Sequence, residues 1–191
     1  MLNTQLVDRG HPVVWGTGPD DVYAAGDVLL HYQGAAWLPS VAITAATLLE
    51  VVGSGPDNVV AIALDGTVLH YDGGRWSEIG ATDPRSLSAV WTTSPTDVYI
   101  AGLGGIIRHY DGVSWTDVDS TVSETLVAMW GSSAADMYAV SQNGAIVHST
   151  GGPWSEVWDA PSGLSGIWGS SANDIYAVGA NKLIAHYDGM T

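Results

Sequence analysis

An all-β protein of five small repeated sheets is what this sequence predicts, on three observations. One stretch is written five times, at steps of 37, 39, 39 and 38 residues counted from Trp15, Val52, Trp91, Trp130 and Trp168. Each copy carries short apolar or alternating runs, and none sustains the 3.6-residue period of an amphipathic helix. Turn dipeptides bearing glycine, Asp65-Gly66, Gly104-Gly105 and Asn143-Gly144, recur at one place in the copies, and such pairs favour hairpins that need positive φ. A step near 40 residues suits one four-stranded sheet per repeat.

The cleanest copy, Val90 to Trp115, shows the elements in order. An apolar run ending at the opening Trp is the first strand. A Ser/Pro/Asp turn follows, then an alternating second strand such as Val98–Gly102. After the glycine turn comes a third strand, Ile106–Tyr110, ending in Asp-Gly. The closing Trp starts the fourth strand, at Trp37, Trp76, Trp115 and Trp154. Pro39 in that strand fits an outer edge, where a missing N–H is tolerated. Other columns align as well: a turn acid or amide at Asp21, Asn58, Asp97, Asp136 and Asp174, and a histidine at His31, His70, His109, His148 and His186.

A lone sheet of this composition has two apolar faces, so neighbouring copies must cover them. That is the logic of a β-propeller, whose blades stack face to face around an axis. The expected fold is therefore a five-bladed β-propeller of four-stranded antiparallel blades in one domain, residues 1–191. The blades fall near 11–46, 47–85, 86–124, 125–162, and 163–191 completed by 1–10. The fifth copy reaches Gly189-Met190-Thr191 before any closing Trp. The N-terminal strand, Leu2 to Val7, is expected to complete that last blade and close the ring. The rival is that five copies are a piece of a larger wheel.

Composition narrows the functions. Net charge is −15, from 20 acidic and 5 basic residues, so phosphate backbones and anionic membrane surfaces are repelled. No nucleic acid and no membrane insertion are expected, since the longest apolar run, Val41 to Leu49, falls far short of the ~20 residues a bilayer needs. The first residues lack the layout of a signal peptide. There is no Cys, which removes disulfides and thiolate metal sites. No cofactor is implied.

His70-Tyr71-Asp72-Gly73-Gly74-Arg75-Trp76 and its counterparts resemble the turn of Asp-box (BNR) propeller blades and the blades of photosystem II assembly-factor-like propellers. The Trp-Gly-Ser-Ser-x-x-Asp opening, at Trp130–Asp136 and Trp168–Asp174, is similar to repeats of bacterial surface and secreted proteins, myxobacterial ones among them. That resemblance implies an extracellular or cell-surface bacterial location and a structural box Asp. Gln33 and His148-Ser149-Thr150 depart from the pattern. Sialidase chemistry is rejected, because its Arg cluster has no counterpart among Arg9, Arg75, Arg85, Arg108 and Lys182.

What every copy repeats most economically serves folding. The histidine column is expected to be buried and hydrogen-bonded, tied to the column Asp and Trp, and not a metal ring. The column Asp is expected to accept backbone N–H groups of its own turn. Function should sit where copies differ. Trp158 alone among the tryptophans stands off a repeat column, in an expected linker with Asp159. Linkers and second-to-third-strand turns share one rim of a propeller. That places Asp83, Asp119, Glu124 and Asn143, Asn181 beside Trp158, with Asp27, Asp65 and Lys182. Glu50 and Arg108 are charges in apolar columns, pairing with each other across blades or, for Glu50, reaching the channel. His11, in a leucine column, is a further candidate.

No catalytic signature is present: no Gly-x-Ser-x-Gly elbow, no phosphate loop, no His-Glu-x-x-His. The expectation is a non-catalytic, ligand-binding propeller, lectin-like, taking a glycan or small polar ligand. The alternatives are a scaffold whose acidic rim binds a protein with a basic surface, and a glycoside-processing enzyme. The sequence leaves the oligomeric state open.

Overall fold

The computed structural model describes residues 13–40, 46–81 and 87–190. The expected all-β architecture is present. Five antiparallel sheets follow one another in sequence, each a meander in which consecutive strands pair. Blade one is β1 (Val13–Gly18), β2 (Asp21–Ala25), β3 (Leu30–Tyr32) and β4 (Trp37–Pro39). Blade two is β5 (Leu48–Gly55), β6 (Asn58–Ala63), β7 (Thr67–Tyr71) and β8 (Trp76–Ala81). Blade three is β9 (Leu87–Ser94), β10 (Asp97–Gly102), β11 (Ile107–Tyr110) and β12 (Trp115–Val118). Blade four is β13 (Leu126–Ser133), β14 (Asp136–Ser141), β15 (Ala145–Ser149) and β16 (Trp154–Asp159). Blade five has three described strands, β17 (Leu164–Ser171), β18 (Asp174–Gly179) and β19 (Ile184–Tyr187). Its completion by Leu2–Val7 lies outside the described residues.

The chain divides into two compact units, residues 1–84 with blades one and two, and residues 85–191 with blades three to five. Within each unit the blades pack through their first strands: β1 and β2 on β5, β9 and β10 on β13, β13 and β14 on β17. Strand alternation sends every second side chain to one face, so each interface collects one column set. The first interface holds Tyr23, Ala25 and Leu29 against Val51, Val59, Ala61, Leu69 and Trp76. The blade three–four interface repeats it with Tyr99 and Ile107 against Met129, Met137, Ala139, Val147 and Trp154.

The tryptophan-glycine pair of the repeat has a packing cause. A Cβ at Gly53 would lie 2.5 Å from the ring of Trp15, and one at Gly131 would lie 2.7 Å from Trp91. The indole of one blade thus occupies the space a side chain would take on the next. Trp168, last of the column, is 60% exposed.

The turn before the closing Trp is held by an aspartate in blades two and three. Asp72 Oδ1 accepts the N–H groups of Gly74 and Arg75, each at 2.9 Å. Asp111 does the same with Val113 and Ser114. The preceding tyrosine hydroxyl donates to the carbonyl of Gly34, Gly73 or Gly112 at 2.9 Å. Those backbone donors hold the carboxyls of Asp72 and Asp111 below the ordinary range.

Candidate functional site

The repeated polar residues form one network, written almost identically in each blade. His31 Nε2 meets Asp21 Oδ1 at 2.6 Å. His109–Asp97, His148–Asp136 and His186–Asp174 are each 2.8 Å. In blade two the partner is Asn58, 2.9 Å from His70. The other carboxylate oxygen takes a hydroxyl from the first strand: Thr17 on Asp21, Thr93 on Asp97, Ser132 on Asp136 and Ser170 on Asp174. Tyr23, Tyr99, Tyr138 and Tyr176 stack on the imidazoles at 3.9–4.3 Å. The expected tie between His and the column Asp is therefore present. The expectation that this Asp accepts backbone N–H groups is corrected. It opens the second strand beside the third-strand imidazole, so side-chain donors reach both oxygens first.

The order of this chain of groups decides its chemistry. A catalytic serine needs the imidazole between hydroxyl and carboxylate, where it can take the hydroxyl proton. Here the carboxylate is in the middle and the imidazole touches no hydroxyl in the network. The hydroxyl is not bonded to the imidazole, and the arrangement ties the first three strands of the blade together. For Asp21, burial raises the carboxyl pKa, but the hydrogen bonds from Thr17 and His31 outweigh it and hold it low. Hydrogen bonds from Ser170 and His186 hold Asp174 low. Burial pushes Tyr138 up to about 12, helped by the Asp136 charge.

The rim is assembled as expected within each unit. Ala160 N–H donates to Gly144 O, Ala180 N–H to Gly163 O, and Leu48 N–H to Gly26 O, joining linkers to second-to-third-strand turns. The candidate acids there are mostly committed locally. Asp119 caps the N–H of Thr121, and Glu124 accepts the N–H of Ser123. Asn143 is exposed in its turn. Asn181 and Lys182 take positive φ, 57° and 65°, in a one-turn 3-10 segment. Arg108 finds its partner inside its own blade: its Nε donates to Asp117 Oδ1 at 2.7 Å, across the paired strands β11 and β12. Glu50 is half-buried in β5 opposite Ile62. His11 and Asp83 lie outside the described residues.

Trp158 is corrected in position. It belongs to the fourth strand β16, paired with Ile146 through a register shift that leaves Val157 as the extra residue, with Asp159 paired to Ala145. A bulge re-aims side chains, and Trp158 lines a cavity of about 570 Å³ between blades four and five. Tyr138, Ile146, His148 and Val157 also line it from blade four, and Ile167, Ile175, Ala177, Ala185, His186 and Tyr187 from blade five. Of the candidate residues, only Trp158 reaches it.

This lining is the blade one–two interface with one member missing. By repeat position Tyr138, Ile146, Ile167, Ile175, Ala177 and Ala185 stand where Tyr23, Leu29, Val51, Val59, Ala61 and Leu69 stand. The sixth column differs, Ala185 for Leu69, and enlarges the space. Trp76 has no counterpart among the described residues. At the first interface Trp76 is 8% exposed and packs edge-on to Tyr23 of blade one at 6.1 Å. Trp154 is 1% exposed in the third–fourth interface. The cavity is the slot these indoles fill elsewhere. Sequence reasoning passed over its walls because each belongs to a repeat column.

No family model matches the chain, and no curated protein matches it. Solved structures do match. YCF48 from Cyanidioschyzon merolae is 15% identical, with TM-score 0.74 over 98% of this chain and 71% of that one. The fold is that of a β-propeller. A structure of YCF48 bound to D1 peptide is 18% identical, with TM-score 0.77 over 98% of this chain and 67% of the other. A streptogramin B lyase structure gives 14%, 0.75, 98% and 71%. Identities this low speak for the fold alone, and the propeller fold serves many chemistries.

Proposed function

We propose that the protein is a non-catalytic binding module that takes a polypeptide segment in the cavity between blades four and five. The observation that carries this is the lining: all eleven of its residues are aliphatic or carry an aromatic or imidazole ring, the half-open indole of Trp158 among them. Such a concave apolar slot suits an apolar or aromatic side chain. A sugar needs several convergent polar groups, whereas Asp119 and Glu124 of the rim accept neighbouring backbone N–H groups. The net charge of −15 favours basic residues flanking the anchor. The solved structure of YCF48 with a D1 peptide is in keeping with polypeptide binding by this fold. That the network hydroxyls donate to carboxylates and not to an imidazole favours binding over turnover.

A lectin-like reading keeps one specific support, the 41% exposed indole of Trp158 next to Asp159. Parallel peptide and glycan arrays separate the two, using the intact protein and a Trp158→Ala variant. Retention of aromatic-containing basic peptides, weakened in the variant, is the expected result. Glycan binding lost on Trp158→Ala, with a silent peptide array, would overturn the proposal in favour of the lectin.

A further inference from the structure

We infer that the cleft between the outer strands of blade one and the closing turn of blade two binds a small organic acid, a single carboxylate carried on an apolar body. The cleft has a volume of about 400 Å³, lies within the first unit, and shares no lining residue with the cavity of blades four and five. β3 and β4 supply one wall, and β7 with the turn into β8 supplies the other.

The repeat places acids and hydroxyls here, and blade one has lost them. Gln33 stands in the column of Asp72, Asp111, Thr150 and Asp188. Pro39 stands in that of Glu78, Asp117 and Glu156, and Leu38 in that of Ser77, Thr116 and Ser155. All three line the cleft. Across from them is Arg75, whose column otherwise holds Ala36, Ser114 and Pro153. Within a chain of net charge −15, this one cleft has exchanged carboxylates for an amide and apolar groups and gained a guanidinium. Among the described residues its lining holds no carboxylate. Local charge complementarity of this kind selects the sign of a ligand.

Three polar groups of the lining have protons to give. The side chain of Arg75 is 82% exposed, and its Nε stands 3.8 Å from Asp72 Oδ2, near the outer limit of an ion pair. Asp72 holds its turn through the other oxygen, Oδ1. The guanidinium fork can therefore take a second carboxylate bidentately. His31 Nε2 donates to Asp21, so Nδ1 of the neutral ring accepts from Gln33 Nε2 at 3.3 Å. An amide nitrogen carries two N–H groups, and the second serves a bound anion. Ser40 Oγ accepts the indole N–H of Trp76 at 2.8 Å, which leaves its own O–H to donate. Leu38, Pro39 and Tyr71 add apolar surface beside these donors. Donors beside an apolar wall fit a carboxylate with a hydrocarbon body. Inorganic anions would leave that wall unused, and polyanions are repelled by the net charge.

Benzoate, phenylacetate and phenylpropionate are the probes. Each is titrated into the isotope-labelled full-length protein while the Arg75 Nε–H and Trp76 indole N–H signals are followed by NMR. Saturable shifts of both signals are expected with at least one of the three acids. The corresponding neutral amide should bind about tenfold more weakly, for want of the charged hydrogen bonds, and inorganic phosphate should not saturate. Arg75→Gln, an exposed change read at Trp76, should weaken the acid by about tenfold. Gln33→Asp restores the residue that three of the other four copies carry, so the turn is kept, and should weaken binding by repelling the carboxylate. Trp158→Ala should change nothing. Unchanged binding in Arg75→Gln or in Gln33→Asp overturns the inference. So does an amide or phosphate that binds as well as the acid, and so does the lack of a saturable shift with all three acids.

Discussion

Trp130 sits against Gly169 so closely that a Cβ on the glycine would lie 2.7 Å from two atoms of the indole. The same atom would lie 2.9 Å from the carbonyl of Asp174, so neither the ring nor the backbone can yield cheaply. Gly169→Ala should therefore destabilise the protein by about 1–3 kcal/mol, the usual cost of overpacking. Gly18→Ala, at a site with nothing within 4 Å, is the control and should be near neutral. Urea unfolding of the two variants checks this.

Blade two should make stability depend on pH in a way the other blades do not. His70 is buried against a neutral amide, and burial holds its imidazole below the ordinary 6.5, with Asp72 opposing weakly. The unfolded chain then binds a proton that the folded one refuses. Stability is full above about pH 6.5 and falls as pH drops below it. Asn58→Asp supplies the carboxylate the other four blades have, favours the charged imidazole and should remove or reverse that fall. At pH 8 the same variant should be less stable, because a buried charge faces a neutral ring. Asp21 and Asp174, both held below 3.8, add a second loss as pH drops beneath that value. Denaturation midpoints between pH 8 and pH 3 would show both steps.

Trp154 should respond to a single added hydroxyl. Its Nε1 is buried and has no hydrogen-bond acceptor among the described residues, whereas Trp76 Nε1 donates to Ser40 Oγ at 2.8 Å. Ser40 stands three residues after Trp37, and the residue three after Trp115 is Val118. Val118→Thr keeps the shape and offers the acceptor, and should stabilise by about 1 kcal/mol. Unchanged or lower stability in thermal unfolding would contradict this assignment.

The hydroxyl–carboxylate–imidazole strut should behave as structure. Asp136→Ala leaves both Ser132 and His148 short of a partner and should cost about 1–3 kcal/mol. Ser132→Ala, which removes only the outer donor, should cost less. A calorimetric melt of each variant gives the comparison.

Much of this architecture was legible in the residues. The five copies, their strands and the turn glycines follow from period and pattern, because each blade must solve the same local problem. The histidine column was readable as a hydrogen-bonded group for the same reason, but its expected burial holds only for His70, and His186 is exposed. The partner of the column Asp was not, since hydroxyl and imidazole reach it from different strands. Nor was the location of Trp158: the extra residue Val157 lengthens β16, and a bulge leaves no mark in a one-dimensional pattern.

The sequence by itself determined that five alike modules form antiparallel sheets whose apolar faces need neighbours, because alternation and turn chemistry act within a few residues. The tertiary structure alone decided where an open apolar cavity lies. Tyr138, Ala177 and Tyr187 are ordinary core columns in every respect but one. Packing brings them around a space that Trp76 and Trp154 fill at the other interfaces, and a cavity exists only between residues that the chain itself keeps far apart.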